Sequence, residues 1–228
     1  MGEPEAKGAS VGDGLPRLPP GRHGLDRDFV TRNQRDRLTA GIIAVVAERG
    51  YVPATIAEIC SAAGVSRRTF YAYFADKEDC YLDALARFLD HLSGALREAA
   101  ADTGDWPAAV RARVAAMLSV FSANPDLVPF GWVAPLRAGQ ALLPVYHRNV
   151  AQVLDLLAEG GPAETTRAPS PLVQRAVVGG LMASIALRVE TEDSPRFDDM
   201  LPDLVGFFLA QYLGQGEAAG AVADLVRG

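Results

Sequence analysis

The stretch that decides the fold is "TIAEICSAAGVSRRTFYAYFADKEDCYLDAL", residues 55–85. It opens with "TIAE", the pattern of a capping box. In such a box the hydroxyl of Thr55 accepts a hydrogen bond from the backbone N–H of Glu58, and the Glu58 carboxylate reaches back to the start of the helix. The pattern therefore predicts a short helix over 55–63.

A second short helix is predicted just beyond it, over residues 66–74. Ser66 can cap its start, and Gly64 supplies the backbone freedom that a tight turn requires. This is the spacing of a helix-turn-helix. Two helices this short are marginal alone, so they need a longer helix, predicted over 31–49, as a packing partner. The positions spaced to pack inward are Ile56, Ile59, Ala63, Val65, Phe70 and Phe74.

The opposite face of the second short helix presents Arg67, Arg68, Thr69, Tyr71 and Tyr73. An arginine near the start of a recognition helix can donate two hydrogen bonds to guanine, and phenol hydroxyls suit phosphate oxygens. Lys77 lies in the first turn of a further helix, where the helix dipole disfavours a cation unless a phosphate docks there. The alternative is an ordinary three-helix unit with solvated arginines. The combination favours DNA binding.

The rest of the chain is helical in period, and no convincing alternating strand is found. We therefore expect an all-α fold, with a helix-turn-helix domain at 29–75 and a larger helical domain at 76–228. Further helices are predicted over 76–101, 107–123, 125–138, 141–159, 171–192, 197–213 and 217–226. Asn124 before Pro125 and Ser170 before Pro171 mark the starts of two of them. Residues 1–28 are rich in Gly and Pro and are expected to be a disordered arm. The alternative is an arm that follows nucleic acid with Arg17, Arg22 and Arg27.

Charge is distributed unevenly. The 228-residue chain has a formal net charge of −6, but residues 17–77 contain ten basic and six acidic residues. That window is therefore +4 and the remainder is −10. A basic N-terminal region on an acidic body argues against non-specific nucleic-acid binding over the whole surface and is compatible with binding through one end.

Other functional classes find little support. Two cysteines, Cys60 and Cys80, are too few for a disulfide framework. No catalytic elbow, phosphate loop or metal-ligand spacing is present, so we expect no enzyme, metal or cofactor. An acidic group could be imagined as a cation site, although a solvated loop is the favoured interpretation: Glu190, Glu192, Asp193, Asp198 and Asp199. No signal peptide or membrane-spanning apolar run is recognised, so a cytoplasmic protein is expected.

The segment "AERGYVPATIAEICSAAGVSRRTFYAYFADKEDCYLDAL" resembles the N-terminal DNA-binding domain of the TetR family of bacterial transcriptional regulators. The resemblance covers about residues 31–88 and includes "AAGVS" at the turn, "TFYAYF" in the recognition helix and "DKED" at the start of the fourth helix. The departures are small, with Cys60, Tyr73 and Cys80 standing where alanine, histidine and leucine are common.

The resemblance implies a homodimer that responds to a small-molecule effector and acts, usually as a repressor, at a palindromic operator in double-stranded DNA. By motif position, Arg67, Arg68 and Thr69 would face bases. The residues that would meet phosphates are Thr55, Ser66, Tyr71, Tyr73 and Lys77, with Arg32 and Arg35 from the first helix. The alternative from another class is a helical ligand-binding or adaptor protein that does not bind an operator.

Two further sites are predicted in the C-terminal domain. Small and apolar stripes over 171–192 and 197–213 could be internal core, but the resemblance favours a four-helix dimer interface. The residues assigned to that interface are Ala176, Val177, Gly180, Leu181, Ser184, Leu204, Phe208 and Tyr212. Aromatic residues and prolines concentrate between 117 and 150 and predict a largely apolar effector pocket. The residues assigned to that pocket are Met117, Phe121, Phe130, Trp132, Arg137, Gln140, Tyr146, His147 and Asn149.

Overall fold

The computed structural model describes residues 27–161, 169–192, 195–216, 218–220 and 223, with side chains from residue 33 onward. Within these ranges the chain is helical and has no strand, which confirms the predicted all-α class. The described residues fall into two compact units divided between Arg87 and Phe88. We call the unit up to Arg87 the head and the unit from Phe88 onward the body.

The head contains three predicted helices, α1 to α3, and the first part of a fourth, α4. Helix α1 spans Arg27–Arg49, α2 spans Ile56–Ala63, α3 spans Arg67–Tyr73, and α4 begins at Lys77 and ends at Ala100. The bounds agree with the sequence-based ones to within four residues. Helix α1 starts at Arg27, inside the predicted arm, whereas the rest of the arm, with Arg17 and Arg22, lies outside the described residues.

The core of the head is formed by the predicted apolar positions. Ile59, Phe70 and Phe74 are buried, and so are Leu38 and Ile42 of α1. One determinant of this packing is Gly41. A Cβ atom added there would lie 3.0 Å from the carbonyl oxygen of Ile59 and 3.1 Å from the backbone nitrogen of Ala63. Helices α1 and α2 therefore approach closely because Gly41 has no side chain, a feature that the sequence analysis missed.

The division between head and body lies within α4, whereas the sequence-based boundary was placed at its beginning. A group of charged contacts joins the first half of α4 to α1. Arg35 donates to both carboxylate oxygens of Asp83, and Arg87 lies 2.9 Å from Asp36 and 3.1 Å from Asp83. These ion pairs join the first part of α4 to the head.

The body consists of the rest of α4 and the helices that follow. Helix α5 spans Trp106–Ala123, α6 Ala134–Arg137, α7 Leu143–Ala158, α8 Pro171–Thr191 and α9 Leu201–Leu213. Short 3₁₀ turns lie at Gly139–Ala141 and Asp198–Met200. The short helix predicted over 217–226 falls largely outside the described residues.

The predicted helix over 125–138 is not a single α-helix. Residues Pro129–Val133 form a π-helical turn that precedes α6. The amide nitrogen of Asn149, a fully buried residue on α7, donates to the carbonyl oxygen of Gly131 at 3.1 Å. This side-chain hydrogen bond provides a partner for a backbone group within the irregular turn.

Helix α8 is both long and apolar. It has 21 residues and a mean hydropathy of 1.4 over its most apolar window, of which 28% is buried. By length and composition it is the one helix among the described residues that could cross a membrane, although no uninterrupted apolar run was found in the sequence. The polar residues of α8 are few and spread along the helix, so the mean hydropathy of the helix is high although polar residues interrupt its apolar sequence. An apolar helix that is mostly uncovered in one protomer has surface available for another apolar partner.

Candidate functional site

The start of α2 is fixed by the capping box that the sequence predicts. The backbone N–H of Glu58 donates to the Thr55 hydroxyl at 3.3 Å, and the backbone N–H of Thr55 donates to the Glu58 carboxylate at 2.9 Å. The hydroxyl of Thr55 also donates to that carboxylate, and these hydrogen bonds lower the pKa of Glu58 below its ordinary value. The helix ends at Gly64, whose φ of 61° is left-handed and favours glycine.

Helix α3 begins with a similar side-chain cap. The Ser66 hydroxyl accepts from the backbone N–H of Thr69 at 3.0 Å, and the two hydroxyls are 2.9 Å apart. Arg37 of α1 donates to the carbonyl oxygen of Gly64 at 2.9 Å, which ties the turn to the first helix. The structure therefore uses Ser66 and Thr69 to set the beginning of α3, and their DNA contacts stay predictions.

Arg67 and Arg68 lie in the first turn of α3, and both are exposed. Neither forms an ion pair or a hydrogen bond with another residue in the part of the chain that the structure describes. Two guanidinium groups thus face solvent next to each other, with ten N–H donors between them. This geometry can offer bidentate hydrogen bonds to guanine edges or to phosphate oxygens.

The other basic side chains described in the head differ from these two. All of them have partners within the head: Arg35 with Asp83, Arg37 with Gly64, Arg49 with Glu58, Arg87 with Asp36 and Asp83, and Lys77 with backbone carbonyls. Arg35 also lies 5.9 Å from the centre of the Phe74 ring. Its predicted role at the DNA backbone therefore competes with an existing ion pair, whereas α3 has two cations without such competition.

The two phenols predicted to meet phosphate differ in exposure. Tyr71 is 58% exposed and packs edge-on against Phe70, so its hydroxyl is accessible. Tyr73 is half-buried, and its hydroxyl donates to the side-chain oxygen of Gln34 at 2.9 Å. The side chain of Arg32 lies outside the described part, although the residue belongs to α1. Of this set, Tyr71 has the most accessible hydrogen-bonding group.

Lys77 has partners other than the predicted phosphate. Its Nζ atom donates to the backbone carbonyl oxygens of Tyr51 at 2.7 Å, Ala54 at 2.9 Å and Val52 at 3.3 Å. It also lies 4.3 Å from the centre of the Tyr51 ring. Partial burial lowers the pKa of Lys77 below its ordinary value. The cation that the sequence analysis regarded as misplaced is therefore accommodated by carbonyl oxygens within the protein.

The residues predicted for an effector pocket divide into two groups. Met117, Phe121, Phe130 and Trp132 are fully buried, and the rings of Phe121 and Trp132 pack edge-on at 5.4 Å. Asn149 is also buried and is engaged with Gly131. In contrast, Gln140 and His147 are exposed, and Arg137 forms a 2.7 Å ion pair with Glu190 on the surface. Tyr146 is half-buried.

The residues predicted for the dimer interface also divide. Five of them are buried within one protomer, which favours the internal-core interpretation for them: Val177, Leu181, Leu204, Phe208 and Tyr212. Ala176 and Ser184 are exposed, and Gly180 is half-buried. Large exposed apolar side chains occur at positions that the sequence analysis did not assign: Leu172, Val173, Leu187 and Phe207.

The acidic residues near the end of α8 pair with arginines. Arg188 lies 3.0 Å from Glu192 and 3.1 Å from Asp199, and Glu190 pairs with Arg137. Asp193 lies outside the described residues, and Asp198 is exposed. In the described ranges, no group of three or more His, Cys, Asp or Glu side chains is arranged to hold a metal ion.

Comparison with protein families gives a match in the head. Residues 38–84 match the model of the bacterial regulatory proteins of the tetR family. A curated relative, the HTH-type transcriptional activator FasR of Mycolicibacterium smegmatis, is 36% identical over 83 residues. That match spans 36% of this chain and 38% of the relative. The chain therefore matches well under half of the length of this relative.

Comparison with solved structures extends over most of the chain. The fatty acid degradation regulator FadR from Bacillus halodurans has a TM-score of 0.68 at 18% identity and covers 80% of this chain and 96% of its own. A TetR family transcription regulator from Marinobacter aquaeolei VT8 has a TM-score of 0.62 at 17% identity, covering 81% and 97%. FadR from Bacillus subtilis, solved in complex with stearoyl-CoA, has a TM-score of 0.61 at 14% identity, covering 78% and 97%.

The fold likeness and the family match agree with the local geometry of the capped helices and the glycine turn. Residues 38–84 therefore match the tetR family of bacterial regulatory proteins, and they lie within a chain that has the all-helical fold of the solved structures compared above.

Proposed function

We propose that the protein is an effector-controlled transcriptional regulator that binds a palindromic DNA operator as a homodimer. The observation that supports it most is the pair of exposed, unpaired arginines at the start of α3. Basic side chains elsewhere in the described head have intramolecular partners, so the free cations are concentrated where a recognition helix enters the major groove. A helix with only a structural role would not require two unpaired cations at its start.

Two copies of α3 would read successive major grooves, with half-sites about 34 Å apart. Arg67 and Arg68 would donate to guanine, and Tyr71 would donate to a phosphate. Thr55, Ser66, Thr69, Tyr73 and Arg32 remain candidate contacts of this interface. Because phosphate contacts release counterions, we expect affinity to fall steeply as salt concentration rises.

The test is the binding of the purified full chain to the DNA upstream of its own gene and to fragments selected from the genome. We expect replacement of both α3 arginines, Arg67→Ala and Arg68→Ala, to weaken specific binding by about 5- to 150-fold for each bidentate pair of hydrogen bonds to a base that it removes. The matched control is Arg111→Ala with Arg148→Ala, which removes the same charge from exposed positions of the body. Equal weakening in both double variants would indicate a general charge effect and would contradict base recognition.

The dimer is proposed to form through the exposed apolar face of α8 and α9. Leu172 is 72% exposed, Leu187 61% and Phe207 49%, and these side chains lie on helices whose other apolar faces are buried. Gly180 lies beside Phe207, because a Cβ atom added there would be 3.7 Å from that ring. Small residues at such positions allow helices from two subunits to approach closely. The buried residues first assigned to the interface would support this face from within.

The effector is proposed to bind in the body and to be largely apolar. The Phe88, Phe121 and Trp132 rings form an aromatic cluster there, with edge-on packing of Trp132 against both phenylalanines at 5.4 Å. The indole nitrogen of Trp132 is buried without an acceptor in the described structure, so it could donate to a ligand oxygen. Stearoyl-CoA, present in the structure of a protein with this fold, is a reasonable first compound to test.

An effector that weakens DNA binding must itself bind less tightly to the DNA complex, by the same factor. Titrating DNA with and without the effector, and the effector with and without DNA, therefore measures the same coupling in two independent ways. Release of DNA would indicate a repressor, whereas tighter binding would indicate an activator, as the matched relative FasR is named. A helical adaptor without operator binding, the alternative from another class, would bind no DNA fragment specifically and would be indifferent to the α3 arginines. We propose a cytoplasmic location and no catalytic role.

A further inference from the structure

The connection between α1 and α2 is held at the first residue of α4 by the side chain of Lys77. The three carbonyl oxygens that accept from Lys77 belong to Tyr51, Val52 and Ala54, at 2.7, 3.3 and 2.9 Å. An ammonium group has three N–H donors, so these contacts use its full donor capacity. No donor is left for a phosphate while they persist.

The Tyr51 ring strengthens the same attachment. The Lys77 ammonium lies 4.3 Å from the centre of this ring, and the ring of Tyr81 packs edge-on against it at 5.0 Å. Lys77 and Tyr81 are four residues apart on α4, one turn from each other on the same face. Tyr81 is fully buried. One face of α4 thus holds both the ring and the backbone of residues 51–54.

The chemistry explains why a lysine is found at a helix start that disfavours cations. The dipole of α4 and partial burial both act against the positive charge, and the lowered pKa of Lys77 reports the burial cost. Three converging carbonyl dipoles and an aromatic face offset those costs. The charge is therefore stabilised by contacts that exist in the protein without DNA.

The attachment has a direct consequence for α2. Ala54, whose carbonyl accepts from Lys77, immediately precedes Thr55, the N-cap of that helix. Fixing residues 51–54 to α4 therefore fixes the position at which α2 begins, and with it the support on which α3 rests. We infer that Lys77 is a positioning residue, which acts on DNA binding through residues 51–55 and the start of α2 rather than by contacting a phosphate.

The inference rests on the proposed function for its DNA readout, but it can be tested first without DNA. In Lys77→Met, we expect the hydrogen-bonded amides at the start of α2, those of Thr55, Glu58 and Ile59, to become about tenfold or more less protected from hydrogen exchange in the free protein, because the segment that precedes them loses its attachment to α4. Arg111→Ala, which removes one exposed charge from the body, is the control and should leave this protection unchanged. Unchanged protection in Lys77→Met would overturn the inference whether or not the protein binds DNA.

The DNA readout separates positioning from phosphate contact. Removal of a phosphate contact lowers the salt dependence of log affinity by about 0.9 for each phosphate, whereas impaired positioning weakens binding at an unchanged slope. We expect Lys77→Met to bind about tenfold more weakly with an unchanged slope. A reduced slope would overturn the inference. If the wild-type protein binds no DNA, the proposed function fails and the exchange experiment still decides the inference.

A second variant guards against a folding failure of Lys77→Met. Arginine keeps the charge, but its planar guanidinium cannot donate to three carbonyls converging on one nitrogen. Lys77→Arg should therefore be less protected at the amides of Thr55, Glu58 and Ile59 and bind DNA weakly, as the methionine variant does. Retention of both protection and affinity by Lys77→Arg would show that only the charge matters and would contradict the positioning role.

Discussion

The head and the body teach different lessons about what a helical sequence encodes. In the head, the signals are local: a threonine and a glutamate three residues apart form a capping box, and Gly64 takes the left-handed conformation of the turn. In the body, the signals are apolar stripes, which indicate that a position is covered but not what covers it. Val177 and Phe208 were assigned to the interface with a second subunit, and both are buried within their own chain.

The largest expected effect concerns two adjacent phenylalanines on α9. Phe208 is fully buried, and its truncation to alanine should lower the free energy of unfolding by about 3–5 kcal/mol. Phe207 is 49% exposed, so Phe207→Ala should change the stability of a protomer little and weaken self-association instead. Chemical denaturation at one fixed protein concentration and sedimentation at several concentrations measure the two quantities.

The opposite result would restore the original assignment. If Phe208→Ala dissociated a dimer without a decrease in protomer stability, the apolar stripe of α9 would face the partner and not the core. The contrast between head and body would then be smaller than the structure indicates.

A second contrast uses the same substitution in the two regions. Gly41→Ala places a methyl group 3.0 Å from a backbone oxygen of α2, and overpacking of this kind costs about 1–3 kcal/mol. Gly94 lies in α4 within the body, exposed and with no atom within 4 Å of an added Cβ. Gly94→Ala should stabilise by about 0.5–1 kcal/mol, because alanine favours a helix.

Thermal unfolding of the two variants beside the wild-type protein measures both signs in one experiment. A stabilising Gly41→Ala would mean that α1 and α2 can separate without cost. The close packing of the head would then be less specific than the distances indicate.

The smallest expected effect is a pH dependence from the capping box. Hydrogen bonds from the Thr55 hydroxyl and backbone N–H hold the pKa of Glu58 below its ordinary value of 4.5. A carboxylate whose pKa is lower in the folded state stabilises the fold above its unfolded pKa. This contribution disappears as pH falls through the lowered value. Glu58→Gln should therefore flatten the acid limb of the stability curve below about pH 4.5.

Glu48→Gln is the control for this experiment, because Glu48 is exposed and lies 4.0 Å from its only described ionic partner, Arg49. Stability measured by urea unfolding between about pH 3 and pH 6 provides the comparison. An identical acid limb in Glu58→Gln and the wild-type protein would contradict a role for the capping box in acid stability.

A feature of this structure could be predicted from the sequence when the residues that form it lie close together along the chain. Thr55, Ser66 and Ser170 were recognised as helix starts, because a cap involves residues only two or three positions apart. Asn124 was recognised by the same rule, but a turn and a π-helical segment follow it instead of one helix. The two unpaired arginines were identified by helical spacing alone.

Interactions between distant residues were not predicted. The partners of Lys77 lie 23 to 26 residues earlier in the chain, and Asp83 pairs with Arg35 from 48 residues away. Spacing along one helix cannot reveal which carbonyl or carboxylate another element brings to it. For the same reason, the pocket assignment combined buried aromatic residues with exposed polar ones. On α7, His147 is exposed although it lies only two residues from Asn149, which is buried.

The π-helical turn at Pro129–Val133 affects how this chain can be compared with others and redesigned. A hydrogen bond from the backbone N–H of Ala134 to the carbonyl oxygen of Pro129 spans five residues instead of four. The turn therefore accommodates one residue more than a regular α-helix would over the same ladder. Deleting a single residue here should restore regular winding and leave the downstream faces in place. An alignment that ignores the extra residue would instead shift α6 by one position, about 100° about the axis, and would pair its wrong faces.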